Sequence, residues 1–164
     1  MIVEDGTGLA DAVTLVSVEN ANTYLTARGH TEITGAQLVQ AIDALGVLQF
    51  RGDLLNDTQA LPFPRVDLID DAGQPMNAGA ALKAAQTAQI WTAHYISQGH
   101  DPAAVGERAV KKKKIETLEQ EFFGDDDANT KITITDLPMV AALLNPYLAK
   151  GSSTGGGGGY IDHA

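Results

Sequence analysis

The chain has 164 residues, no cysteine, and a formal charge of −10 from 11 Lys+Arg against 21 Asp+Glu. That length fits one domain with tails around a modest core, and the missing thiols exclude disulfides and thiolate metal sites. So acidic a surface repels a phosphate backbone unless its few cations gather on one patch, which disfavours bulk nucleic-acid binding.

The opening MIVEDGTGLADAVTLV carries two early acids and no basic region, and no apolar run approaches the roughly 18 residues of a membrane span. Neither a signal peptide nor a membrane helix is expected, and a cytoplasmic origin follows. Residues 1–16 mix glycines with Ile2, Val3, Leu9, Val13, Leu15 and Val16. This is too apolar for a solvated tail and too broken for a helix, so an extended N-terminal arm that docks is predicted.

Ser17 offers an N-cap for a helix to about Arg28, with Gly29 as its stop. Thr34 caps a second helix from Gly35 to about Phe50, with Leu38, Ile42 and Leu45 on one stripe; Gly46 weakens it and Gly52 ends it. From Gly52 to Gly79, Pro62, Pro64, Pro75 and the turn Asp70-Asp71-Ala72-Gly73 forbid a helix and predict an ordered loop with a short hairpin across LPFPRVDLIDDAGQPM.

A third helix, about Ala80 to Gln98, places Ala81, Ala84, Ala85, Ala88, Trp91 and Tyr95 along one side, where small alanines let neighbours approach closely. A last helix starts near Thr135 or Asp136 with Pro138 in its first turn, packs Val140, Leu143 and Leu144 inward, and breaks at Asn145-Pro146. The sequence closes on GSSTGGGGGYIDHA, a flexible linker tipped by Tyr160 and Ile161.

The expected fold is therefore mainly α: a small bundle of about four helices with a short β-hairpin or extended arm, and extended arms at both ends. The N-terminal docking arm spans 1–16, the helical domain 17–149 with an extended segment at about 107–123, and the Gly-rich arm 150–164.

The stretch VKKKKIETLEQEFFGDDD is the most charged. Five cations face seven anions from Glu107 to Asp127, which is not the field of a phosphate clamp. Read as one strand, Lys111, Lys113, Ile115, Thr117, Glu119, Glu121 and Phe123 share a face with cations at one end and anions at the other, so a neighbouring copy laid alongside would pair opposite charges. A plain solvated face and a nucleic-acid patch are the alternatives. A helix that aligns Ile115, Leu118 and Phe122 fits the same spacing.

Asp125, Asp126, Asp127 and Asn129 lack the spacing, central glycine and closing glutamate of a calcium loop, and read as a solvated turn. His94, His100 and Asp101 have no nucleophile beside them, and a single histidine on an alanine-rich helix reads as packed or capping. The run of five glycines lacks the strand, lysine and helix of a phosphate loop. No enzyme, cofactor or metal site is predicted.

Three segments, MIVEDGTGLADAVTLVSVENANTYLTARG, LPFPRVDLIDDAGQPM leading into the alanine-rich helix, and LPMVAALLNPYL before the glycine-rich tail, together resemble a family of tailed-bacteriophage head-to-tail adaptor, or head completion, proteins. Some members carry the label DnaT-like single-stranded DNA-binding protein.

The resemblance implies a virion protein of the neck, between capsid and tail. It would dock on the portal protein, usually as a ring of twelve copies, and present a surface to stopper or tail completion proteins, with DNA passing through its channel without sequence-specific contact. On that reading Lys111, Lys113, Glu119, Glu121, Phe123, Tyr160, Ile161 and Leu9 are the candidate contacts with sibling subunits or partners. The competing expectation, a single-stranded DNA binder of phage replication, needs a basic groove with stacking aromatics, and aromatic residues are only 5% of the chain.

Overall fold

The computed structural model describes residues 1–100, 113–115, 118–120 and 137–149. Four helices and two short antiparallel strand pairs make it mainly helical, as the sequence predicts. Helix α1 runs Val18–Thr26; extended Ser17 accepts the Asn20 amide at 3.2 Å, and Ala21 and Leu25 are buried. The chain leaves α1 through Gly29, whose left-handed φ of +77° suits glycine.

Helix α2, Gly35–Gly46, starts with a full capping box: the Thr34 hydroxyl accepts the Gln37 amide and the Gln37 side chain accepts the Thr34 amide. It ends at Gly46 rather than near Phe50. The residues beyond are taken by the end of the described chain: Phe50 bridges to Leu148, the Arg51 amide donates to Tyr147 O at 2.8 Å, and the Ala149 amide to Gln49 O at 2.9 Å. These long-range bonds outweigh one more helical turn beside a glycine.

The proline-rich region folds back within LPFPRVDLIDDAGQPM, as predicted, and also pairs with residues before it. Strands β1 (Asp53–Leu54) and β2 (Arg65–Val66) pair antiparallel, so residues before the LPFPRVDLIDDAGQPM stretch supply the partner strand. Within that stretch the chain turns back at Asp70 to Gly73, with Ile69 bridged to Pro75 and the Met76 amide donating to Leu68 O at 2.8 Å. Asp70 Oδ1 accepts the amides of Ala72 and Gln74, which closes the turn.

Helix α3, Ala78–Ser97, begins two residues earlier than predicted because Asn77 caps it, accepting the Ala80 amide at 3.0 Å. It packs against both α2 and α4 (Pro138–Leu144). Ala81, Ala85, Ala88 and Ala93 are almost fully buried, which lets both neighbours approach its backbone. A 3-10 turn, Asn145–Tyr147, follows α4.

The core forms two clusters, and α3 contributes buried residues to both. One cluster joins Leu15, Ile42, Leu45, Phe50, Phe63, Leu68, Val140 and Leu144; the other joins α1 and α2 through Leu25, Ile33, Leu38 and Ile90. Buried Leu and Phe side chains of this kind each stabilise by about 1.5–3 kcal/mol.

The N-terminal segment, predicted as a docking arm, packs on its own chain. Ala12, Thr14, Leu15 and Val16 are buried, and Val3 bridges Thr14 in parallel. Gln89 of α3, fully buried, fastens it: its Oε1 accepts the Leu15 amide at 3.0 Å, and its Nε2 donates to Thr14 Oγ1 and Leu38 O, each at 2.8 Å. The bend between residues 4 and 9 closes on Glu4, whose buried carboxylate accepts the amides of Gly6, Gly8 and Leu9 at 2.8–2.9 Å.

Candidate interaction surface

Of the sequence-predicted contact residues, Leu9 is partly buried against the main core cluster, so its side chain is used within the chain. Its backbone is used too, donating to Glu4 and accepting from Ala60. Lys113 and Glu119 fall in strands β3 (Lys113–Ile115) and β4 (Leu118–Gln120). Lys111, Glu121, Phe123, Tyr160 and Ile161 lie outside the described residues, as do the Asp125 to Asp127 turn and the glycine-rich tail.

The β3 and β4 register changes the geometry expected of the charged stretch. Instead of one continuous strand, it folds back on itself: Lys113 lies across from Gln120, Lys114 from Glu119, and Ile115 from Leu118. The cationic and anionic halves thus sit on two adjacent strands of one chain. Alternation counted along a single strand does not survive that reversal, and neither does the helix that would align Ile115 with Leu118.

The described cations outside this hairpin are Arg28, Arg51, Arg65 and Lys83. Three are engaged with the chain itself. Arg51 donates to Leu148 O and Ile69 O and pairs with Asp71 at 2.6 Å. Arg65 donates to the carbonyls of Pro62, Phe50 and Arg51, and burial pulls its guanidinium below the usual arginine range, against the opposing effect of Asp53. Arg28 stacks 3.5 Å above the Tyr24 ring and donates to Tyr24 O. Only Lys83 projects without such a role, so these four residues form no basic groove.

A second feature, missed in the sequence, lies where α1 and α3 end. Trp91, His94 and Tyr95 fall on one side of α3 by helical spacing, and the turn at Gly29 brings His30 over them. Ring centroids of His30 stand 5.0 Å from Trp91 and 4.6 Å from His94; Tyr24 lies 6.5 Å from Trp91, and His100 6.0 Å from Tyr95.

His94 is 3% exposed and Trp91 9% exposed, and neither His94 Nδ1 nor Trp91 Nε1 has a hydrogen-bond partner. Burial, and secondarily the nearby His30, holds His94 below the ordinary histidine range. Helical spacing already grouped Trp91 with Tyr95; nothing in the sequence announced that His30 would join them across the fold. Asp101, which the sequence sets beside His94 and His100, lies outside the described residues.

These features describe a small helical protein whose described arginines serve its own fold, with a charged hairpin and a histidine-aromatic cluster as its distinctive parts. The chain matches, over residues 1–161, the family described as "Putative DnaT-like ssDNA binding protein". It belongs to that family. No curated protein and no solved structure matches it.

Proposed function

We propose that the chain is a structural adaptor subunit, working in a ring of its own copies that joins a phage head to its tail and lets DNA pass. The observation that carries this reading is the use of its described arginines. In a chain of charge −10, Arg28, Arg51 and Arg65 turn onto the chain's own rings and carbonyls, which leaves an acidic exterior. Such a surface suits a channel wall that repels phosphate and does not retain it. The segmental resemblance to head completion proteins supports the same reading.

The family description favours a second reading, binding of single-stranded DNA, more directly than it favours an adaptor. On that reading the lysine run at 111–114 supplies the cations.

One pair of measurements separates the two. The purified chain is mixed with a fluorescent oligonucleotide at about 0.15 M salt, and separately with the portal ring of its particle. Ring-shaped complexes on the portal with no oligonucleotide shift support the adaptor. A salt-sensitive oligonucleotide shift, with no association with the portal, overturns it in favour of the DNA binder.

A further inference from the structure

Buried polar atoms in this molecule are otherwise paired: among the described residues, Trp91 Nε1 and His94 Nδ1 are the two buried side-chain atoms without a partner. Both belong to one cluster. His94 Nε2 meets Gln98 Nε2 at 3.2 Å. With the amide donating, that contact requires the imidazole Nε2 to be an unprotonated acceptor, which is the neutral ring. A second proton on His94 would set N–H against N–H there, until the Gln98 amide turned over.

The surroundings offer a cation nothing. From α3 the ring faces Trp91, Tyr95 and Gln98; from the turn after α1 it faces His30, a second imidazole. Tyr24 of α1 meets Trp91 edge-on and carries the Arg28 guanidinium on its other contacts, and His100 adds a further imidazole beside Tyr95. No carboxylate among the described residues pairs with either His30 or His94. A proton taken up by His94 would therefore stand as an unpaired buried charge, among the costliest groups a fold can hold.

We infer that His94, packed against His30, is a proton-operated latch: neutral, it holds the turn after α1 against the end of α3, and protonated, it releases it. This goes beyond the adaptor reading and does not depend on it. The lowered affinity of buried His94 for a proton is consistent with the closed state being the neutral one. Release would free the end of α3.

The protein carries its own reporter, since its single tryptophan is the ring touching His30. The full chain is titrated from about pH 8 to pH 5 while Trp91 emission wavelength and amide hydrogen exchange at the ends of α1 and α3 are followed. The expected result is a red shift and faster exchange confined to those ends, with a midpoint below the ordinary histidine value of 6.5. In His30→Gln the midpoint moves upward towards that value, and in His94→Leu the transition disappears. An intensity change without a red shift or faster exchange, or the same transition in both variants, overturns the latch. If His94→Leu fails to fold, the direction of the midpoint shift in His30→Gln decides the matter.

Discussion

Gln89 and His94 sit five positions apart on one helix, both nearly sealed from solvent, yet their surroundings treat them oppositely. Gln89 is 0% exposed and spends both amide hydrogens and its oxygen on three groups from two segments, the N-terminal segment and α2; His94 is 3% exposed and keeps a ring nitrogen unpaired. A buried polar group with every bond made acts as a rivet, because removing it strands its partners. One left half-paired adds little and makes its region sensitive to a proton. Burial alone does not tell the two apart; the partner census does.

The same substitution at both positions gives the sharpest contrast. Gln89→Leu is expected to cost roughly 3 kcal/mol, since the Leu15 amide, the Thr14 hydroxyl and the Leu38 carbonyl each lose a partner, and urea unfolding measures it. His94→Leu is expected to stay within about 1 kcal/mol of the parent at neutral pH, since it strands no described backbone group. Equal losses at the two sites would remove the distinction.

Acid separates them next. The folded chain holds His94 below its ordinary value, so the unfolded chain binds a proton more readily. The stability this group contributes is fully present above about pH 6.5 and is lost as the pH falls from there towards the folded-state value. Melting temperature should fall over that window in the parent and fall less in His94→Leu; matching pH profiles would refute the assignment.

A smaller effect tests whether exposed pairing near the Gln89 network matters. Thr34→Ala removes the cap of α2, the helix that supplies Leu38 O, and is expected to cost about 1 kcal/mol by thermal unfolding. Smallest in stability is the double reversal Lys111→Glu with Lys113→Glu, expected to change unfolding by less than about 0.5 kcal/mol while weakening association between copies in analytical ultracentrifugation. A large drop in melting temperature with intact association would argue that those lysines serve the monomer.

The helices were legible because their signals are local: Ser17, Thr34 and Pro138 stand at or beside the starts of their helices, and alanine spacing marks the buried side of α3. What escaped was what only the third dimension supplies. The early end of α2 is set by residues 147–149, and the partner of β2 comes from residues 53–54. The pairing of β3 with β4 was not legible because the two residues between them in sequence, Glu116 and Thr117, include no glycine or asparagine to announce a hairpin. The N-terminal segment offered apolar residues without revealing that Gln89 would claim them. Of the histidine cluster, only the α3 members were visible.

The clamp at Phe50 and Leu148 has a mechanical consequence. Gln49, Arg51 and the Arg51 side chain all grip the chain between residues 147 and 149, so a pull on whatever continues from Ala149 would load those bonds before it reached α4. Tension entering there is handed to the turn at Gly52, where an added Cβ would lie 2.2 Å from Val66 O and no side chain fits. The molecule thus has a reinforced cable anchor at that end, and force applied to it would shear these few bonds together, sparing the helix from being unzipped turn by turn.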